Sequence, residues 1–154
     1  MKKKIIIACD HRGFRLKEKL KPYLEKKGFT IKDLGTYSQE PCDYPYLAYN
    51  LARAIAQGRF MRGILICYSG IGNAIVANRV PGVRAALCYK PLAAKLSRQH
   101  NDSNVLALGA YFVNERLAKR ILEVWLKTGF LGGRHQRRLK QIKEIEKKIE
   151  REGI

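Results

Sequence analysis

Residues 62–78 read RGILICYSGIGNAIVAN, and this stretch decides the fold. Its run 64–67 is continuous, apolar and rich in β-branched residues, which is typical of a strand buried on both faces. The short loop 69–72 follows, and a helix is predicted from Ala74. A strand, a glycine-rich turn and a helix form an anion site, because unpaired backbone N–H groups and the positive end of the helix dipole converge at the turn.

Cys67 ends the predicted strand, at the mouth of this loop. If the N–H groups face a substrate oxygen, the thiol is placed to take a proton from the neighbouring carbon. Two structural alternatives stay open: the glycines can form only a tight turn, and a cysteine at the end of a strand can be a small core residue. The loop lacks the third glycine and distant acidic residue of a dinucleotide site, and the lysine of a P-loop.

The length of 154 residues suits one domain, 1–154, and a hydrophobic fraction of 46% can fill its core. The sequence has no apolar run of 18 residues, so we expect no membrane span and no membrane partner. The apolar part of the start is too short for a signal peptide, which predicts a cytoplasmic protein. Cys9, Cys42, Cys67 and Cys88 form no CxxC pair, so neither a zinc site nor a disulfide is expected.

The net charge is +18, from 31 Lys and Arg against 13 Asp and Glu. Such a surface attracts polyanions. The basic residues are spread along the chain, however, and are not interleaved with aromatic residues as in a nucleic-acid platform. We therefore expect no specific nucleic-acid partner, and we interpret the charge as a solvated surface that steers a small phosphorylated substrate.

Apolar runs alternate with amphipathic segments along the chain. This order predicts an α/β fold, with a five-stranded, mostly parallel, Rossmann-like sheet and helices on both of its faces. Pro22 lies inside the first predicted helix and predicts a kink or an early break there. The predicted strands are 4–9, 29–34, 64–67, 83–88 and 104–108, and the predicted helices are 14–27, 46–57, 74–79, 91–99, 114–127 and 134–152.

Ligands bind at the carboxyl ends of the strands in sheets of this kind. That edge collects Asp10 and His11 after the first strand, residues 67–73 after the third, and Tyr89 after the fourth. His100 precedes the fifth strand, so the topology places it at the opposite edge unless a second subunit supplies it.

The C-terminal segment, 135–154, carries an apolar stripe at heptad-like spacing on an otherwise charged helix. Packing of the stripe on the chain's own domain and packing on a partner subunit both stay open. We predict a homodimer, because a partner gives His100 and the arginines at the start of this helix a place to act. The stripe consists of Leu139, Ile142, Ile145 and Ile149.

Several motifs share the order and spacing of a known family. Over essentially its whole length, to about residue 146, the chain resembles the type B ribose-5-phosphate isomerases and their relatives, the galactose-6-phosphate isomerase subunits. Such an ordered set is highly specific. The motifs are CDHRGF (9–14), DLGTYS (33–38), DYP (43–45), GILIC with its glycine loop (63–72), RQHND (98–102) and GGRHQRR (132–138).

The resemblance implies a metal-free aldose–ketose isomerase that interconverts ribose 5-phosphate and ribulose 5-phosphate without an organic cofactor. It also implies sites built between two subunits, in a homodimer or a dimer of dimers. Cys67 matches the catalytic base, and His100 matches the residue that assists ring opening, with Asp10 binding the sugar near it. The backbone of Ser69, Gly70, Ile71, Gly72 and Asn73 matches the anion hole; His11, Arg134 and Arg138 match phosphate-binding residues; Asn101 and Tyr44 match substrate contacts.

These residue types suit the implied reaction, in which a proton moves between C1 and C2 through an enediolate. A thiol with a pKa of about 8.5 needs only a modest lowering to act near neutral pH, and a helix N-terminus with nearby cations predicts that lowering. N–H donors stabilise the developing oxyanion. An imidazole suits ring opening, and the planar guanidinium group suits a phosphate.

Structural interpretations stay open beside these roles. Asp10 could cap the following helix, the two histidines could be structural or surface residues, and the arginines could form a solvated helix start.

Two positions depart from the family pattern and weaken the prediction of the substrate. Tyr68 stands where the family commonly has Gly, and Tyr111 stands where many members have a phosphate-binding Arg, a charge that Arg12 could replace. Two further functions therefore stay open: isomerisation of a six-carbon sugar phosphate, such as allose or galactose 6-phosphate, and sugar-phosphate binding without turnover.

Overall fold

The computed structural model describes residues 3–154, which leaves only Met1 and Lys2 of the predicted domain outside. The strands are β1 (Lys3–Cys9), β2 (Phe29–Asp33), β3 (Gly63–Cys67), β4 (Ala85–Leu87) and β5 (Val105–Gly109). The helices are α1 (Phe14–Lys26), α2 (Pro45–Ala56), α3 (Ile71–Ala77), α4 (Pro91–Asn101), α5 (Glu115–Lys127) and α6 (Arg134–Glu152).

The five strands form one sheet in the order β2-β1-β3-β5-β4. Every pair is parallel, with Ile7 beside Ile64 and Ile64 beside Leu106 in the centre. The predicted α/β fold with a five-stranded sheet is confirmed, and the sheet is wholly parallel. The three central strands are long apolar runs because helices cover both of their faces.

Successive residues of β3 face opposite layers of the core. Ile64 and Ile66 pack with α1 and α5, in a layer that also holds the fully buried Trp125. Leu65 packs with α2 and with Ala77 of α3. Cys67 follows Leu65 by two residues, so the thiol faces the α2 and α3 layer.

Of the two alternatives predicted at Pro22, the early break is wrong, since α1 continues through Pro22 to Lys26, and the kink stays a prediction. Pro22 lies on the exposed face of α1, and the buried Leu20 and Leu24 fix the helix on either side of it. Solvent can therefore bind the carbonyl group that the missing proline N–H leaves free.

Several other boundaries differ from the prediction by one to three residues. α3 begins at Ile71, three residues before the predicted Ala74, so the second half of the glycine-rich stretch is helical. β4 begins later than predicted because the N–H of Val83 donates to the carbonyl of Val80 in a turn. α4 runs on to Asn101, and Asp102 caps it in a left-handed conformation (φ 45°). The carboxylate of Asp102 forms ion pairs with Arg84 and Arg98, which hold the residue in place. His100 and Asn101 are therefore the last residues of a helix.

α6 has the bounds that the sequence predicts, and His135 is its one buried residue. Glu146 of α6 accepts a hydrogen bond from the N–H of Gly82 at 3.0 Å. The apolar stripe stays exposed, with Ile142, Ile145 and Ile149 at 41, 57 and 42%. Packing of this stripe on a partner subunit remains a prediction. Among residues 3–154, no helix is both long and apolar enough to cross a membrane.

Candidate active site

The ends of β1 and β3 meet closely at the carboxyl edge of the sheet. The N–H of Asp10 donates to the carbonyl of Ile66 at 3.2 Å. Gly13, where α1 is about to begin, lies so near this carbonyl that a Cβ atom would collide with it. The loop after β1 is therefore held against the end of β3, which brings Asp10 and His11 towards Cys67.

Asp10 is 6% exposed and fixes the loop that carries it. Its Oδ1 accepts hydrogen bonds from the N–H groups of Arg12 at 2.9 Å and Gly13 at 3.0 Å. These bonds order the turn before α1, as the capping interpretation anticipates, and they leave Oδ2 without a hydrogen bond to the described residues. One side of the carboxylate thus stays available to a ligand.

Cys67 is 4% exposed and is surrounded by backbone N–H groups. The N–H of Gly70 lies 3.2 Å from its Sγ. Burial raises the pKa of the thiol above its usual value, while hydrogen bonds from the N–H groups of Asn73, Gly70 and Ser69 oppose the rise. The predicted net lowering of the pKa is wrong for the single chain, because burial prevails and the negative Asp10 adds to it.

The loop between Cys67 and α3 is seated on the end of β5. Gly109 passes so close to the carbonyl of Ser69 that a Cβ atom would collide with it. The phenol of Tyr89 donates to the same carbonyl at 2.7 Å. Gly70 has a φ of 82°, which a residue with a Cβ atom rarely adopts, and its Cα faces Leu87. The direction of the loop N–H groups is therefore fixed by several contacts.

Tyr44 covers the other side of this loop. Its phenol ring lies against Gly72, where a Cβ atom would collide with it. Tyr44 directly precedes Pro45, the first residue of α2. The aromatic ring is thus placed by the start of a helix over residues 69–73, which we call the anion loop.

His11 is held by the backbone of Cys42. Both the N–H and the carbonyl oxygen of Cys42 lie 3.2 Å from Nδ1 of His11. A neutral Nδ1 accepts from the N–H, and a protonated Nδ1 donates to the carbonyl. In the first arrangement Nε2 carries the proton, which suits donation to an anion; in the second, Nε2 carries a proton only when the ring is the imidazolium.

A second group of predicted residues lies at the amino edge of the sheet. The ring of His100, at the end of α4, stacks on that of His135 with centroids 4.3 Å apart and planes at 8°. Burial and the positive charges of His100, Arg134 and Arg138 lower the pKa of His135. Arg134 and Arg138 are exposed, and so is Asn101. The predicted site residues do not include His135, although it stands within the GGRHQRR motif.

The predicted site residues thus form two groups within one chain. We call Asp10, His11, Tyr44, Cys67 and residues 69–73 the carboxyl-edge cluster. We call His100, Asn101, Arg134 and Arg138, with His135, the amino-edge cluster. The chain does not bring the two clusters together, because α4 and α5 each run from the carboxyl edge of the sheet to its amino edge.

Tyr68 belongs to a rim beside the carboxyl-edge cluster. The guanidinium of Arg12 lies 5.3 Å from the centroid of the Tyr68 ring. The ring of Tyr111 packs on the other side, with centroids 4.8 Å apart. Tyr68 is 45% exposed, since it points away from the core layer that Cys67 faces. The ring of Tyr68 therefore holds the positive charge of Arg12, the residue that follows His11, beside the carboxyl-edge cluster.

The described residues contain no group of three or more His, Cys, Asp and Glu side chains arranged to hold a metal ion.

The sequence profile of the family described as Ribose/Galactose Isomerase matches residues 5–142. The chain belongs to this family. It is therefore an isomerase, as its motifs predict. It is 47% identical to ribose-5-phosphate isomerase B of Escherichia coli (strain K12) over 146 residues, which are 95% of this chain and 98% of that protein.

Two solved structures of ribose-5-phosphate isomerase B share the fold of this isomerase. The Clostridium thermocellum enzyme has a TM-score of 0.92 and 47% identity, with 94% of this chain and 98% of that chain covered. The Mycoplasma genitalium enzyme, solved with bound ribulose-5-phosphate, has a TM-score of 0.91 and 41% identity, with 96% of this chain and 98% of that chain covered.

Proposed function

We propose that this isomerase interconverts ribose 5-phosphate and ribulose 5-phosphate through an enediolate. The similarity to ribose-5-phosphate isomerase B of E. coli and to the ribulose-5-phosphate complex supports the substrate. The observation that carries the chemistry is the enclosed thiol of Cys67 beside the N–H groups of Gly70, Asn73 and Ser69. No other predicted group combines a candidate base with donors for a developing oxyanion.

In the proposed mechanism, Cys67 acts as the base in its thiolate form. The thiolate takes the proton from C2 of the open-chain aldose, and the electron pair forms the C1–C2 double bond of the enediolate. The loop N–H groups stabilise the oxyanion, for which a single such donor is typically worth about 3–4 kcal/mol. The hydroxyl proton then moves from O2 to O1, which leaves the oxyanion on O2. The thiol gives its proton to C1 as the C2 carbonyl forms, which yields the ketose.

A partner subunit would supply part of the activation that Cys67 needs. Burial raises the pKa of the thiol in the single chain. A cation near the sulfur favours the thiolate. Arginines of a second copy would bring positive charge into the site, and the net charge of +18 favours the approach of the anionic sugar.

We propose that the second half of each site comes from a partner subunit. The amino-edge cluster of one copy would face the carboxyl-edge cluster of the other, in a homodimer or a dimer of dimers. His100 would then transfer a proton to and from the ring oxygen, with Asp10 and Asn101 on the sugar hydroxyl groups. His11, Arg134 and Arg138 would bind the phosphate, and Tyr44 would cover the sugar.

The separation of the two clusters and the exposed stripe of α6 support this arrangement. A C2 dimer would create two equivalent shared sites, because its interface uses the same surface of both subunits.

The test is the isomerase activity of Cys67→Ala on ribose 5-phosphate, followed with proton exchange at C2 and with phosphate-ligand binding. We expect turnover and exchange to fall at least about a thousandfold, because the base is removed, and ligand binding to persist. Cys42→Ala is the matched control, since Cys42 contacts His11 through its backbone only. Exchange that survives in Cys67→Ala would overturn the role of the thiol. A parallel assay with allose 6-phosphate and galactose 6-phosphate measures the preference for five carbons.

A further inference from the structure

One buried side-chain polar atom has no hydrogen-bond partner among residues 3–154, and it is Nδ2 of Asn73. Asn73 is 1% exposed, and water does not reach Nδ2 either. Buried polar groups in folded proteins are paired as a rule, because an unpaired buried donor loses its bonds to water and gains nothing in return. An amide that is enclosed and left unpaired therefore calls for an explanation.

Asn73 lies beside Cys67. Its backbone N–H is one of the donors that lower the pKa of the Cys67 thiol. Along α3 its side chain shares a face with Ala77, which packs in the same core layer as Leu65. Cys67 faces that layer too, two residues after Leu65. The carboxamide is therefore enclosed in the layer that also holds the sulfur, at the end of β3.

Packing alone does not explain an amide at this position. The neighbouring core positions of α2 and α3 are aliphatic: Ala48, Leu51, Ala52 and Ala77. A leucine side chain has nearly the shape of asparagine and would leave no unpaired donor. In the orientation that the structure shows, Nδ2 does not contact the sugar either, since even water does not reach this atom.

We propose that the carboxamide of Asn73 is a hydrogen-bond donor held ready for the thiolate of Cys67. The inference rests on the proposed role of Cys67 as the base. A thiol is a weak acceptor, so the amide gains little from it in the resting state. A thiolate is a strong acceptor, and in the proposal the carboxamide turns about its Cβ–Cγ bond so that Nδ2 donates to the sulfur.

This donor favours the charged form of a base whose burial favours the neutral form. Ionisation of Cys67 transfers the thiol proton to solvent, and the thiolate then accepts from the loop N–H groups and from Nδ2. When the sulfur takes the C2 proton from the sugar, the bond to Nδ2 weakens again. The unpaired amide is therefore a feature of the resting state only.

The test measures the ionisation of Cys67 without any sugar. The rate of alkylation of Cys67 by iodoacetamide is followed from pH 6 to 10, with the modified peptide resolved by mass spectrometry from those of the other three cysteines. In Asn73→Leu the apparent pKa of Cys67 should rise by about one unit, which lowers the alkylation rate at pH 7 about tenfold. Asn73→Ala should give a rise in the same direction.

Thermal stability separates the donor role of the amide from a purely structural role. Asn73→Leu removes an unpaired buried donor, so its Tm should equal or exceed that of the wild type. If the amide only stabilised the fold, Asn73→Leu would instead lower the Tm and leave the thiol pKa unchanged. That result would overturn the inference. Ile75→Ala is the control on the same helix, since Ile75 is 54% exposed, and it should leave the alkylation profile unchanged.

A failure of this inference can be distinguished from a failure of the proposed function. If Cys67→Ala keeps its proton exchange while Asn73→Leu still raises the thiol pKa, the proposed function fails and the donor role stands. If Cys67→Ala loses exchange and Asn73→Leu leaves the thiol pKa unchanged, the proposed function stands and the donor role is overturned.

Discussion

The carboxyl-edge and amino-edge clusters are built in opposite ways. The carboxyl-edge cluster has its buried groups at the ends of parallel strands, Asp10 and Cys67, and in the first turn of α3, Asn73. The amino-edge cluster lies on helix ends, with exposed Arg134 and Arg138 beside a pair of stacked histidines. The first holds a candidate base and oxyanion donors, and the second holds cations.

This difference indicates that each cluster lacks what the other supplies. The thiol of Cys67 has a raised pKa because it is buried away from cations. The arginines of α6 are positioned at a helix N-terminus, where positive charge opposes the helix dipole and an anion is favoured. A shared site would place an anion and a thiolate between the two, and the following experiments test that arrangement.

The largest effect is expected from mixing two inactive variants, Cys67→Ala and His100→Ala. If each site takes one cluster from each subunit, a mixed dimer has one site with both residues intact and one with neither. Half of the dimers are mixed after random exchange, so activity should return to about a quarter of the wild-type value.

The control for this experiment is Cys67→Ala taken alone through the same exchange procedure, which should stay inactive. If mixed dimers form, as shown by native mass spectrometry, and activity does not return, the two clusters belong to separate sites.

The second effect compares a glycine at each edge of the sheet. Gly109→Ala forces a methyl group against the carbonyl of Ser69 and should displace the anion loop. We expect the free energy of unfolding to fall by about 2 kcal/mol and kcat to fall with it.

Gly129→Ala is the matched control at the amino edge, since nothing lies within 4 Å of the added Cβ atom. It should change neither quantity appreciably. Urea denaturation and steady-state kinetics of both variants measure the difference, and equal effects would show that the anion loop is not held by Gly109.

The smallest effect concerns the histidine stack. The pKa of His135 is lowered in the folded chain, so the unfolded chain binds the proton more tightly. The stability that neutral His135 contributes to the folded chain is fully present above the pKa of about 6.5 of the unfolded chain. It is lost as the pH falls from there towards the lower pKa of the folded chain. His135→Phe keeps a flat ring without a titrating group, so its Tm should fall less between pH 7 and pH 5 than that of the wild type, by about 2 °C. A steeper fall in the variant would contradict this sign.

The sequence predicts what depends on local pattern. The apolar run of β3 and the glycines after it predict the central strand and its loop, and α6 has its predicted bounds. The break at Pro22 was wrongly predicted because the packing of Leu20 and Leu24 on the core outweighs a single lost hydrogen bond. Tertiary contacts of this kind cannot be read from a window of neighbouring residues.

In the candidate site too, some features follow from the sequence and others depend on tertiary contacts. The position of Cys67 at a strand end follows from the sequence, and so does the placement of His100 at the opposite edge. The contacts of Gly109 with Ser69, of Tyr44 with Gly72 and of Cys42 with His11 join residues that are far apart in the chain. The sequence contains no local signal for them.

The amino-acid sequence by itself determines a parallel α/β sheet and a cysteine beside a glycine-rich loop, because strand periodicity and turn chemistry are local properties. Only the tertiary structure decides that the thiol is buried enough for its pKa to rise and that one amide beside it has no partner. Burial and hydrogen-bond pairing depend on every element packed around a group, and those elements are brought together only by folding.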